Sequence, residues 1–348
     1  MTITKNRTSY FDVLRIVAAF LVIVNHTNSR IFIGSTPDEI QWYFSIAWYY
    51  ISKVAVPIYV MVSGACLLKK QDSYARVFSR IRRILVCLIV FSYIQYLYDA
   101  WVFYGLWPRA VDFKTFFLII YSKPIEGAYW YLYLYTGLLL LLPLLQRFVK
   151  SATKKDLQYL MALCFGFNLI LPMLSHYVPG LILTSYLSKI TPNVFVGLFV
   201  LGYYMTTYAK KTSDGKLLVV VLYIATITVS VLLTLLEYYR IPLGEEYWFM
   251  DNRTMPSLTI VASSVLFFSF FSKIEWKNKY LISLGKYSFG IYLIHNLIIE
   301  KTTVRIYEKL ATLITEFPAM LIWEIAVFAL ALVASWCMHK IPYLKKIL

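Results

Sequence analysis

Apolar runs of about 20 residues, long enough to cross a hydrocarbon core, recur from residue 10 to residue 339 with short polar stretches between them. Nothing else restricts the fold as strongly. In hydrocarbon every backbone amide must find its partner inside the protein, and consecutive helices meet that demand. Ten spans are predicted, at 10–28, 45–68, 84–104, 128–149, 158–178, 191–208, 217–237, 254–272, 284–300 and 318–339. The stretch FKTFFLIIY within 105–127 predicts a half-buried segment and could change the count by one. With 60% hydrophobic residues against about half in a soluble domain, the expected fold class is all-α, a polytopic transmembrane helix bundle. No connection is long enough for a second domain, so residues 1–348 are read as a single membrane domain.

The net charge of +16 invites a nucleic-acid reading, but the placement of the charges argues otherwise. Roughly two-thirds of the 34 basic residues fall in alternate loops, from Lys5 and Arg7 through Arg76, Arg80, Arg82 and Arg83 to Lys345 and Lys346. That bias is the positive-inside pattern, with both termini cytoplasmic. The expected partner is the lipid bilayer, not nucleic acid. Cys66, Cys87, Cys164 and Cys337 lie in predicted spans without disulfide or metal-ligand spacing and read as small packing residues; no metal is expected.

The first span, DVLRIVAAFLVIVNH, is apolar except for Asp12, Arg15, Asn25 and His26. On a helix, Arg15 to His26 is a step of about 1100°, within roughly 20° of three full turns, so Asp12, Arg15 and His26 share one stripe filled in by Ala19 and Val22. The two ends lie roughly 16 Å apart along the axis. A guanidinium at that depth facing lipid costs several kcal/mol, so the stripe must face the bundle interior or a wet cavity. Asp12 alone needs no role beyond pairing with Arg15 at i,i+3. Arg15 and His26 on one face point to function.

Other segments are more ambiguous from the residues alone. In KKQDSYARVFSRIRR, Lys69, Lys70, Arg80 and Arg83 suit a polyanion such as a nucleotide phosphate, but on the residues alone retention on the inner side and contact with anionic headgroups is the preferred reading. In SKVAVPIYVMVSG, Pro57 predicts a kink and Ser63-Gly64 a close approach of another backbone; Lys53 either snorkels outward or shares a cavity with His26. The aromatic cluster around Trp130 and Tyr131 reads as an interfacial belt, though flat rings also stack on sugars. His295, inside the ninth span, reads as a buried histidine bonded to a neighbouring helix. Gly-rich phosphate loops, HExxH and GxSxG are absent from the sequence.

Taken in order, DVLRIVAAFLVIVNH, VPIYVMVSG, RIRR, YWYLYLYTGLLLLLP, VFVGLFVLGYYM and SFGIYLIH resemble the motifs of the acyltransferase-3 family over about residues 8–340. These are integral membrane acyltransferases, mostly bacterial, that O-acetylate cell-envelope glycans. The resemblance implies an enzyme of the plasma (inner) membrane that moves an acetyl or other acyl group from cytoplasmic acetyl-CoA to a hydroxyl of an extracytoplasmic acceptor, an envelope glycan or lipid-linked sugar. It implies His26 as catalytic base with Arg15 and Asp12 beside it. Arg80, Arg83, Lys69 and Lys70 would hold the acyl-CoA, with Lys53, Trp130, Tyr131 and His295 toward the acceptor. A homodimer is compatible with it. The chain departs from the pattern at Ala128, where many relatives have His, and at Lys53, where some have Arg. A small-solute transporter or flippase on the same membrane domain is the alternative.

Overall fold

The computed structural model describes residues 9–104, 112–178, 180–181, 186, 191–209, 214–240 and 257–348. Among these residues it is all-helical, with no strand. In chain order the helices are α1 (Ser9–Thr27), α2 (Ser29–Gly34), α3 (Ile40–Ser52), α4 (Ala55–Leu67), α5 (Tyr74–Tyr104), α6 (Phe113–Ser122), α7 (Trp130–Ser151) and α8 (Lys154–Phe165). There follow α9 (Leu171–Tyr177), α10 (Val194–Tyr208), α11 (Lys216–Arg240), α12 (Leu258–Ser272), α13 (Lys279–Leu284), α14 (Ser288–Thr302), α15 (Glu316–Met338) and α16 (Pro342–Ile347).

Among the described residues six stretches are long and apolar enough to cross a membrane: Ser9–Gly34, Ile40–Leu67, Gly127–Ser151, Lys154–Tyr177, Lys216–Tyr239 and Glu316–Met338. Among the described residues the other four predicted spans also fall largely on helix, namely α5, α10, α12 and the pair α13 and α14 joined through a 3-10 turn at Gly285–Tyr287. α10 and α12, with 15 residues each, are too short for that standard. FKTFFLIIY forms α6, ten residues capped by Asp112, too short to span, with Phe116 and Ile120 buried and Tyr121 exposed.

Local sequence sets the boundaries. Thr153 and Asp156 form a reciprocal capping box at the start of α8, and Asn193, Ser257 and Asn278 cap α10, α12 and α13. Pro57 has no N–H for the carbonyl four residues back, and the second span is interrupted there, at Lys53–Val54 between α3 and α4. The expected kink is thus a break. It lets the two halves choose different neighbours: α3 packs on α2 and α11, α4 on α1 and α10.

α1 is the central helix, packed against α3, α4, α12, α13, α14 and α15, and eleven of its side chains are buried. Outward faces carry the apolar side chains a bilayer would cover, among them Leu217 and Ile224 on α11, Ile325 on α15 and Leu144 on α7. The tightest seam joins α4 to α10. A Cβ added at Gly64 would lie 1.8 Å from the Phe199 carbonyl oxygen, and one at Gly202 1.9 Å from that of Met61. The backbones therefore touch through reciprocal glycines, as Ser63-Gly64 predicts. The four cysteines are all free thiols, with Cys337 facing outward.

Candidate active site

The polar stripe of α1 faces the interior, and its Ala19 and Val22 are buried. At its lower end Arg15 Nη1 donates to Asp12 Oδ1 at 2.9 Å, and Nη2 approaches Cys66 Sγ of α4 at 3.5 Å. Tyr59 of α4 donates its hydroxyl to the Arg15 carbonyl at 3.1 Å. Tyr131 and Tyr135 of α7 also lie within electrostatic reach of Arg15, with their hydroxyls beside Ser63. At the upper end the His26 and His295 rings are 5.2 Å apart, centre to centre. Lys53, at the break between α3 and α4, is within electrostatic reach of His26, and its ammonium sits 4.3 Å over the Tyr49 ring.

Between these ends runs a file of rings. Tyr135 stacks on Tyr131 at 5.9 Å, Tyr131 meets Tyr292 at 5.7 Å, and Tyr292 meets His295 at 5.9 Å. Tyr59 joins from the side at 6.1 Å from Tyr131. The aromatic cluster expected at an interfacial belt therefore lies largely inside the bundle: Tyr129 and Tyr131 are buried, while Trp130 turns toward Phe195. The cause is the entry of α7. The 3-10 turn Gly127–Tyr129 sits against the middle of α14, where Tyr129 donates its hydroxyl to the Leu293 carbonyl (2.7 Å) and Tyr292 donates to that of Ala128. Above it, Glu126 accepts from Asn296 Nδ2 at 2.6 Å. His295 bonds within its own helix, Nδ1 to the Tyr292 carbonyl, rather than to a neighbouring one.

The backbone that presents His26 is clamped on both sides. Thr27 Oγ1 donates to Glu324 Oε1 of α15 at 2.8 Å, and Trp48 Nε1 of α3 donates to Glu324 Oε2 at 2.9 Å. Asn28 donates to the Ser45 carbonyl, and Ser45 Oγ returns a bond to the Asn28 carbonyl at 3.1 Å. Glu324 is wholly buried, and its carboxyl group ties α1, α3 and α15 together at Thr27, the residue after His26. Sequence reasoning missed it. The available signal was a single carboxylate in the apolar run of the last span, the kind of residue that seldom enters a membrane without a partner.

The basic loop divides. Arg80 Nη2 donates to Asp72 Oδ2 at 3.1 Å, while its Nε is buried without a hydrogen-bond partner among the described residues. Arg80 also lies within electrostatic reach of Tyr135, the lowest ring of the file. Arg83 faces elsewhere, donating through Nε to the Ile347 carbonyl at 2.7 Å and through Nη2 to the Leu348 carbonyl, which anchors α16 against α5. Lys69 and Lys70 are exposed. The structure therefore does not bring Arg80 and Arg83 to one shared partner.

Asp72 holds the loop. Burial raises its pKa, but the Gln146 amide and the Arg80 and Arg76 charges outweigh that and keep the carboxyl below its usual range. Because the folded value is the lower one, the stabilisation is complete at neutral pH and fades as pH falls below about 4. The melting temperature of the detergent-solubilised protein is expected to drop in that window. Asp72→Asn should melt lower at pH 7 and lose part of the acid sensitivity; an unchanged acid limb would remove Asp72 as its source.

No group of three or more metal-ligating side chains occurs among the described residues. What the interior offers is two imidazoles at one end of a tyrosine-lined file and guanidinium groups at the other. The family model described as an acyltransferase domain, of the acyltransferase-3 type, matches residues 8–340, nearly the whole chain. The chain belongs to this family. No curated protein and no solved structure matches it. Membership in the acyltransferase-3 family gives a membrane protein that transfers acyl groups, and an imidazole pair inside the bundle suits proton removal from a hydroxyl.

Proposed function

We propose that this acyltransferase-3 protein moves an acyl group, acetyl in the simplest case, from cytoplasmic acyl-CoA to a hydroxyl of an extracytoplasmic acceptor, an envelope glycan or lipid-linked sugar, across the plasma membrane. One observation carries the reading: the ring file Tyr135–Tyr131–Tyr292–His295 links the neighbourhood of Arg80 and Arg15 to His26. In this reading ten helices span the bilayer with both termini inside. Arg80, with Lys69 and Lys70, meets the CoA phosphates. The thioester arm follows the tyrosines past Arg15, and the acceptor comes from the side of Glu126 and Asn296.

His26 removes the hydroxyl proton as the oxygen attacks the thioester carbonyl. The new C–O bond forms, the C–S bond breaks, and the proton passes from His26 to the departing CoA thiolate. Imidazole suits this duty because a neutral ring carries one nitrogen with a free lone pair that can take a proton and return it.

The test is incubation of purified protein with labelled acetyl-CoA and de-O-acetylated envelope glycan from the producing cells. Label on the glycan supports the reading; transport of a small solute into proteoliposomes without acyl-CoA, and no transfer, overturns it. For the donor site, Arg80→Ala should weaken acetyl-CoA binding by about tenfold or more, the worth of one charge-assisted bond. Arg83→Ala should chiefly lower stability, since it releases α16. An unchanged isotherm for Arg80→Ala would leave that arginine as a clasp on Asp72.

A further inference from the structure

His26 is held by its backbone, but no hydrogen bond fixes its ring among the described residues, so nothing in its own surroundings selects which nitrogen carries the proton. Its neighbour differs. His295 is 1% exposed, and its Nδ1 lies 2.6 Å from the Tyr292 carbonyl. A carbonyl has no proton to give, so Nδ1 carries the hydrogen, and in the neutral ring Nε2 is left as a bare acceptor. That Nε2 is buried without a partner among the described residues. The backbone that fixes this tautomer is itself pinned from outside α14, by the bonds of Tyr292 to Ala128 and of Tyr129 to Leu293.

Native proteins seldom leave a buried acceptor unfilled, and such a group calls for a donor close by. A ring able to supply an N–H, that of His26, lies 5.2 Å away with the planes at 52°. One N–H···N bond between two imidazoles spans about that much, a hydrogen-bond length plus two ring radii, roughly 5 Å. A modest rotation of the untethered His26 ring closes it.

We propose that His295 is the positioning residue of His26: its Nε2 accepts the N–H of His26 and holds that ring in the tautomer whose other nitrogen faces the acceptor hydroxyl with its lone pair free. The proposal rests on the reading of His26 as the base. When the hydroxyl proton reaches His26, the bond to His295 becomes charge-assisted and shortens, so the imidazolium is stabilised by a neutral ring in an apolar interior. When His26 returns the proton to the CoA thiolate, the original tautomer is restored and His295 has changed neither charge nor proton count.

The test compares His295→Phe, which keeps a ring and removes the acceptor, with His295→Gln, which keeps an acceptor oxygen, using acetyl-CoA and the de-O-acetylated envelope glycan. For His295→Phe kcat is expected to fall about 10- to 100-fold with KM for acetyl-CoA within about twofold, and His295→Gln to recover most of the loss. A second readout needs no acceptor: the rate at which diethyl pyrocarbonate modifies His26, followed by mass spectrometry. It should slow severalfold in His295→Phe and recover in His295→Gln. Unchanged kcat and modification rate in His295→Phe, or equal impairment of both variants, would overturn the proposal. His26→Gln is run alongside: its activity would remove His26 as base, whereas its inactivity beside a fully active His295→Phe removes only the role of His295.

Discussion

Cells carrying His26→Ala or His26→Gln are expected to lose envelope acylation, with turnover down by about 10² to 10⁴-fold, the usual worth of a general base. The fold should survive the change. Among the described residues no hydrogen bond from the imidazole holds the bundle in this structure, while the turn beneath it stays tied through Thr27 to Glu324 and through Asn28 to Ser45. Loss of activity with normal protein in the membrane would therefore report chemistry rather than collapse. The measurement is acetate per repeat of envelope glycan by mass spectrometry, set against the amount of protein. Normal acetate at normal protein levels would exclude His26 from the reaction. Glu324→Gln makes a useful companion: it keeps the shape of the clamp and gives up one of its two acceptor oxygens, so its effect should fall on the presentation of His26 and be much smaller.

The largest loss of stability is expected from Gly64→Ala or Gly202→Ala. Each new Cβ would fall under 2 Å from a main-chain oxygen on the facing helix, Phe199 in one case and Met61 in the other. Main chain cannot swing aside as a lysine tip can, so α4 and α10 must part, and the packing along the whole seam weakens with them. A cost above about 3 kcal/mol follows, at or beyond the upper end of overpacking effects. Gly137→Ala on α7 is the control, because no atom lies within 4 Å of its added Cβ, and a helical alanine there should gain about 0.5–1 kcal/mol. Thermal unfolding followed by size exclusion in detergent separates the cases; three equal melting curves would refute the seam.

The fold class was legible because spans of apolar sequence leave the backbone few alternatives, and among the described residues each predicted span falls largely on helix. Among the described residues six stretches rather than ten meet the standard of length and hydropathy, and α10 and α12 fall short of it at 15 residues each. The facing of Arg15 was legible too, since helical steps of 100° are a local property, and the structure turns the stripe inward as expected. Pro57 announced its break and Ser63-Gly64 its close contact, for the same local reason. What could not be read was anything that depends on which helices meet. Nothing in the spacing of His26 and His295, on the first and ninth predicted spans, announces that their rings lie 5.2 Å apart. The burial of the Tyr129–Tyr131 cluster, the parting of Arg83 from Arg80 and the clamp at Glu324 are all decided by tertiary neighbours. A periodicity argument sees one helix at a time.

The seam between α4 and α10 also governs traffic. Glycine laid against carbonyl leaves no rotamer to flip and no gap to widen, so that wall is shut to anything as bulky as a pantetheine arm. In the proposed reaction the donor and the acceptor would then have to meet along the tyrosine file instead. Two glycines set against facing carbonyls thus turn one side of the bundle into a fixed wall, and passage through the interior must leave that wall intact.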